Sequence, residues 1–326
     1  MSPHYTFFLL ACAWLALTAC GPQKVDNRHS NATSPAPEAI WAAAWSPDGK
    51  HFALGGDDST VWLYDANDYR LLQSFALKGM IRALSWNPDG KTLAVATMVG
   101  VELLDAEGRR LRPVRGLRTG GRGIGWSDDG RLLGLADNHG KAHLIDSKGK
   151  ILRSMSKGND NSYFALDWHP SGMIMTVAGD ELIHFDTAGR LLQKISHRHH
   201  NTGILTIDWH PGGSFIAIGD YGQEENGLPT LLQLFEKNGK MLKEIGGSKT
   251  EYRAIRWSPS GDKLATASDA LRIWSPEGRL LHLGESPADL WGLAWSPDGK
   301  RILTASFSGG AIRIWNDEAR LIKEIK

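Results

Sequence analysis

The sequence predicts an all-β fold, a seven-bladed β-propeller with four antiparallel strands per blade, on three observations. A Trp followed by a turn occurs seven times, at Trp45, Trp86, Trp126, Trp168, Trp209, Trp257 and Trp295, with spacings of 41, 40, 42, 41, 48 and 38 residues. Self-similarity at a period near 40 marks radially repeated four-stranded units. Within each period, four apolar or alternating stretches are separated by turn residues. The 326 residues also hold 13 Trp and 37 Gly, a composition suited to short strands, tight turns and large aromatic fillers.

Taken from the N-terminus, the first element is a targeting segment. Phe7 to Ala19 reads FFLLACAWLALTA, an apolar run that suits a signal-peptide core and is too short to cross about 30 Å of hydrocarbon as a helix. Directly after it stands Leu17-Thr18-Ala19-Cys20. These four residues resemble the bacterial lipoprotein box, which implies cleavage of residues 1–19 as a lipoprotein signal peptide and acylation (palmitate) of Cys20. At about 0.8 kcal/mol per buried CH₂, more than one acyl chain anchors stably. Cys12 and Cys20 are the only cysteines, so the folded part is expected to hold no disulfide, no Cys-ligated zinc and no Cys nucleophile. Residues 20–39 carry the lipidated Cys and a stretch rich in Pro, Ser, Asn and Ala, which buries too little apolar surface to fold alone. They read as a flexible tether averaging about 25 Å end to end.

Residues 40–326 are the propeller. The first strand of each unit ends in the repeated Trp. The turn after it is WSPDGK, WNPDGK or a variant, in which Pro fixes φ, Asp or Ser caps its own backbone, and Gly accepts a positive φ. An apolar second strand follows, such as KTLAVAT or KRILTAS, and then an alternating third strand, VWLYD, VELLD, AHLID, LIHFD, LLQLFE, LRIWS or IRIWN. A Gly-basic turn leads to a fourth strand such as RLLQKI or KMLKEI. Each blade is thus contiguous in sequence, so the ring is expected to close without an exchanged N-terminal strand.

The SPDG turn, the aromatic-acidic ends of third strands (Tyr64-Asp65, Phe185-Asp186, Phe235-Glu236) and the period resemble the WD40-repeat proteins from Ala39 to Lys326. Two departures concern that family's buried Asp-His network. There is no Gly-His pair ahead of the first strands, and the closing Trp-Asp is replaced by Trp274-Ser275 and Trp315-Asn316. The resemblance implies a non-enzymatic scaffold that binds a protein (or glycan) partner through its top face, where the fourth-to-first and second-to-third connections lie.

Four residues before each repeated Trp stand Trp41, Arg82, Arg122, Phe164, Leu205, Arg253 and Trp291. Trp, Phe and Arg are the types that anchor interfaces, so Trp41, Arg82, Arg122, Phe164, Arg253 and Trp291 are the candidate partner-binding residues; the bland alternative is that they fill the upper ends of blade interfaces. On blade five, His197, His199 and His200 precede the first strand, and Asp220, Glu224 and Glu225 lie in the next top loop. Imidazole with carboxylate suits zinc or a similar ion, although clustered polar loop residues are more often solvated surface. A basic residue recurs in every bottom turn (Arg70, Arg109, Lys150, Arg190, Lys240, Arg279, Arg320), partly cancelled by turn acids such as Asp48, Asp89 and Asp298.

With 37 basic and 36 acidic residues, no overall field favours nucleic acid, and none is expected as a partner. No nucleophile elbow, His-Glu-x-x-His or phosphate-binding Gly loop occurs, and no cofactor is expected. The alternative function is a propeller enzyme, a metal-dependent hydrolase or lyase with its site at the top of the channel. The expected setting is a monomeric propeller in the bacterial envelope, lipid-anchored at the outer membrane and facing the periplasm, because Gly21 lacks the acidic signal of inner-membrane retention.

Overall fold

The computed structural model describes residues 39–156, 163–197, 202–223 and 227–325. They form seven four-stranded antiparallel sheets, each built from four strands consecutive in sequence. Blade one contains Ile40–Trp45, His51–Gly56, Thr60–Asp65 and Leu71–Ala76. The innermost strands of the other blades are Ile81–Trp86, Gly121–Trp126, Ala165–Trp168, Ile204–Trp209, Ala254–Trp257 and Leu290–Trp295. Each packs on the innermost strands of its neighbours, and that of blade seven packs on that of blade one. The outermost strand of blade seven is Leu321–Ile325, so the ring closes without strand exchange.

The core lies between blades. Buried apolar residues fall into seven clusters, each bridging one pair of neighbouring blades. A sheet in this position is covered on both faces, and its middle strands are therefore near-continuous apolar runs rather than alternating ones; TLAVAT of blade two and RILTAS of blade seven are buried almost throughout. Fourth strands face outward and are largely exposed.

The repeated Trp does what a wedge must. All seven are only 4–8% exposed, and several bind the preceding blade: the Trp168 indole N–H donates to the Gly125 carbonyl at 2.9 Å, Trp295 to Arg256 at 2.9 Å, and Trp209 to the Thr176 hydroxyl at 2.9 Å. The turn behind each Trp behaves as its residue types require. Ser46 Oγ bonds Asp48 at 2.6 Å, and the following Gly49 sits at φ 70°, with Gly90, Gly130, Gly172, Gly213, Gly261 and Gly299 at the equivalent place, all between 67° and 77°. Where Asn or His replaces that Ser, the longer side chain staples the next blade: Asn87 Nδ2 donates to the Gly130 carbonyl at 2.9 Å, and His169 and His210 bond the carbonyls of Gly213 and Gly261 at 3.0 Å. At ring closure Arg301 donates to the Ala66 carbonyl and lies 4.7 Å over the Trp45 ring.

Buried Asp-His pairs are present despite the missing Gly-His dipeptide. His143 Nε2 is 3.0 Å from Asp137 Oδ2, and His197 Nε2 is 3.3 Å from Asp220 Oδ2. Blades six and seven carry buried arginines instead: Arg272 meets Asp269 and Arg313 meets Glu324, both at 2.8 Å.

Most of the bottom basic residues pair with acids of their own turns. Arg109 pairs with Asp105 at 2.6 Å, Arg190 with Asp186 at 2.6 Å, Lys240 with Glu236 at 3.4 Å and Arg320 with Glu318 at 3.2 Å. The cancelling acids belong to the same turns as the bases, rather than to the Trp turns, where Asp48 pairs with Lys50.

Candidate functional site, the mouth of the channel

In five of the seven blades the residue four places before the repeated Trp sits at a backbone irregularity. Ile40 pairs with Gly56 but Ala42 with Gly55, so Trp41 is an extra residue on the inner strand; the same shift occurs at Arg82, Arg122, Leu205 and Trp291. A β-bulge of this kind re-aims a side chain out of the pleat. In blades four and six the regular strand begins one residue later, and Phe164 and Arg253 pair as Phe164 N–H to the Ala178 carbonyl and Arg253 N–H to that of Ala267. All seven side chains are half-buried and together line one mouth of the channel.

The small residues one step further, Ala42, Ala83, Gly123, Ala165, Thr206, Ala254 and Gly292, allow neighbouring inner strands to close up. A Cβ on Gly123 would lie 2.5 Å from the Leu166 nitrogen, and Thr206 Oγ1 accepts from Ile255 N–H across the blade interface at 3.2 Å. Their smallness is a packing requirement, and says little about catalysis.

Arginines and aromatics pair between adjacent blades around the mouth. The Arg82 guanidinium lies 3.6 Å over Trp41, Arg122 lies 5.1 Å from the Phe164 ring, and Arg253 lies 4.2 Å over Trp291. Cation-π contacts of this sort hold a guanidinium in place while leaving its N–H groups available. Trp41 and Trp291 meet edge to face at 4.3 Å, and Phe307 stacks on Trp291 at 3.8 Å. Burial, then the charges of Arg122 and Arg253, brings the Arg82 guanidinium down to about 9; burial and Arg253 lower that of Arg122. Both remain cationic at neutral pH. Of the three, only Arg253 has a carboxylate partner among the described residues, Glu251 at 3.2 Å. The buried Nε atoms of Arg122 and Arg253 and the Trp41 indole nitrogen have no hydrogen-bond acceptor among the described residues.

A collar of exposed apolar side chains that sequence reasoning did not single out borders this mouth. Val99 is 59% exposed, Tyr221 49%, Phe307 38% and Met98 37%. All four stand in second-to-third-strand connections, on the same face as the arginines. A large apolar residue directly after the second strand, at Met98, Tyr221 and Phe307, is the signal that marks them.

Below the mouth, the residue just before the repeated Trp lines the channel in a second ring. Asp167 accepts from Trp209 N–H at 2.7 Å, Asp208 from Trp257 N–H at 2.6 Å, and Ser85 from Trp126 N–H at 3.1 Å. Burial raises Asp167 to about 6, and burial with the neighbouring Asp167 charge holds Asp208 well above the usual carboxylate range. Arg256 lies 3.6 Å from Asp208.

Of the suggested metal ligands, His197 has its imidazole turned inward, with Nδ1 3.1 Å from Thr202 Oγ1 and Nε2 beside Asp220. His199, His200, Glu224 and Glu225 lie outside the described residues, as do Cys20 and the tether. Among the described residues no group of three or more His, Cys, Asp or Glu could hold a metal ion.

Comparison with known proteins agrees with the repeat. Residues 29–65, 189–223 and 278–316 match the family model described as WD domain, G-beta repeat (WD40). The chain is 30% identical over 162 residues to human echinoderm microtubule-associated protein-like 2, an alignment covering 46% of this chain and 24% of that protein. It is 44% identical over 57 residues to actin-interacting protein 1 of Drosophila melanogaster, covering 17% of this chain and 9% of the relative. With the small ribosomal subunit protein RACK1 of Schizosaccharomyces pombe it shares 37% identity over 68 residues, 21% of this chain and 22% of the relative. The chain thus spans about a quarter or less of the length of these relatives, and what the matches support is likeness to WD40 repeats over those three stretches.

Proposed function

We propose that this protein is a non-enzymatic binding scaffold, held at a membrane surface in the bacterial envelope by acyl chains on Cys20, that presents the mouth of its propeller to a protein partner. A propeller of WD40 repeats suggests a protein-interaction scaffold, and two of the relatives are named for the cytoskeletal proteins they associate or interact with. The observation that carries the reading is the mouth itself. Seven equivalent positions line it, five of them at bulges, and they supply three arginine-aromatic pairs with buried donors that have no acceptor among the described residues. Trp, Tyr and Arg dominate the energetics of protein interfaces, and an exposed apolar collar beside them is the ordinary mark of a contact surface. Residues 20–39 then act as the tether that sets the propeller off the outer membrane into the periplasm.

The test is crosslinking of the intact lipoprotein in its own cells, comparing wild type with Arg82, Arg122 and Arg253 all changed to Ala. Loss of a specific captured protein from the variant, at equal level and fold, is the expected result. Unaltered capture excludes the mouth as the partner site. For the anchor, labelled palmitate should enter the wild type and not Cys20→Ala, which should leave the membrane fraction; membrane association of Cys20→Ala unchanged from wild type rules the acyl anchor out.

A further inference from the structure

The chemistry of the mouth specifies more than "a protein". The three guanidiniums converge closely enough that Arg82 feels the charges of Arg122 and Arg253, and Arg122 that of Arg253. Such mutual repulsion in a half-buried space is unfavourable until an anion enters. Glu251 answers only Arg253, and no described carboxylate pairs with Arg82 or Arg122. The donors are also pre-aimed: the aromatic faces of Trp41, Phe164 and Trp291 hold the guanidinium planes, which lowers the ordering entropy that binding would otherwise cost. The mouth encloses a cavity of about 80 Å³ lined by these residues. Exposed Tyr221 lies 5.7 Å from Arg253 and exposed Phe307 packs on Trp41 and Trp291, while Met98 and Val99 are exposed in the top-face loop of blade two.

Resting on the reading of this mouth as the partner site, we propose that it receives the carboxylate of a Glu or Asp side chain, carried on a segment of the partner whose neighbouring residues are apolar. The carboxylate takes charge-assisted hydrogen bonds from Arg82 and Arg122, the two cations with no carboxylate partner among the described residues, while the flanking residues cover Met98 and Val99 on one side and Phe307 on the other. Arginine is suited to this work because its planar fork matches a carboxylate, and such bonds are about twice as strong as neutral ones. The arrangement is lopsided. Arginines stand on blades two, three and six, and Leu205 closes blade five, so the site favours a single side chain entering off-axis over a ligand with the symmetry of the ring.

The experiment uses the full-length protein in detergent and two fluorescein-labelled peptides, one alternating Glu with Leu and one in which every Glu is Gln. Fluorescence anisotropy should show the Glu peptide binding at least roughly tenfold more tightly than the Gln peptide. That preference should shrink when salt is raised from about 0.1 M to about 1 M, where the screening length falls to about 3 Å. Arg82→Met with Arg122→Met keeps the stems and removes the charges; it should bring both peptides to the same weak affinity. Circular dichroism and the melting temperature of the variant establish that it is folded, and Arg70→Met, on the opposite face, should bind as wild type. Equal affinity for the two peptides overturns the proposal, as does an unchanged preference in the double Met variant. Inorganic phosphate tested as a competitor assigns the source: displacement at millimolar phosphate together with no discrimination between peptides makes the mouth a small-anion site and overturns the peptide reading. Loss of in-cell capture by the Arg→Ala variant alongside indiscriminate peptide binding would leave the scaffold reading standing and remove only the acidic specificity.

Discussion

Asp167 in the channel is a place where a substitution should stabilise the protein at neutral pH. Burial raises its carboxyl from the ordinary 3.8 to about 6, against the opposing effects of the Trp209 N–H and Arg256. The folded state therefore holds this proton more tightly than the unfolded chain does. Its contribution to stability is complete below pH 4 and is lost as pH rises through about 6. A shift of about two units at 1.36 kcal/mol each sets an upper bound of about 3 kcal/mol. Asp167 is part-exposed, which screens the charge, so about 1–2 kcal/mol is the working figure. Asp167→Asn is permanently neutral, and its Oδ1 can still accept from Trp209 N–H, now 2.7 Å from the carboxylate. The variant should melt about 2–6 °C above wild type at pH 7 and within about 1 °C of it at pH 4. Differential scanning calorimetry across pH 4–8 reads both numbers. Asp48→Asn is the control of opposite sign, because Asp48 is held below its ordinary value and its hydrogen bonds to Ser46 and Lys50 belong to the ionised form. If Asp167→Asn is no more stable than wild type at pH 7, or if its gain persists at pH 4, the channel carboxylates are not strained in the way described.

Four further substitutions separate the forces that build the ring. Gly172→Ala should cost about 1 kcal/mol, since Gly172 has φ 68° with open space around it, whereas Gly213→Ala adds a Cβ 2.6 Å from His169 Nε2 and should cost about 2–3 kcal/mol; urea unfolding gives both. Trp168→Phe removes the indole bond to the Gly125 carbonyl and leaves a small void, for a loss of about 1–3 kcal/mol by the same measurement. Arg301→Met takes away the donor to the Ala66 carbonyl and the cation over Trp45 at the junction of blades seven and one, and should lower the urea midpoint and speed limited proteolysis of the outer strands of those two blades.

The periodic part of this architecture is legible because the physics repeats. A large indole at the end of an inner strand, followed by Ser-Pro-Asp-Gly or its variants, needs the same positive-φ glycine and the same backbone caps each time, and the period of the sequence is the period of the fold. The bulge at Trp41 is not legible, since Ile40-Trp41-Ala42 alternates plausibly in either register and only pairing with Gly55 and Gly56 shows the extra residue. His197 shows the opposite error. In a loop containing three histidines it reads as a surface ligand, but its side chain turns inward to Asp220, a partner supplied by a different strand. The channel ring of Ser85, Asp167, Asp208 and Arg256 did leave a trace, a polar residue just before the Trp in strands that are otherwise apolar or small.

The two ends of the propeller answer to different constraints, and the difference argues for where binding occurs. At the bottom, positive-φ residues fall at equivalent turn positions in all seven blades, and most bases there pair with acids of their own turns. Charge satisfied locally has nothing left for a partner. At the top, a bulge recurs in five of the seven blades, and the side chains presented are Trp, Arg, Arg, Phe, Leu, Arg and Trp in blade order. Ring stability needs only that these positions fill space between blades, a need that Leu205 meets alone. Three half-buried cations in mutual repulsion exceed that need and cost stability. The carboxylate proposed above would supply the counter-charge that Arg82 and Arg122 lack among the described residues.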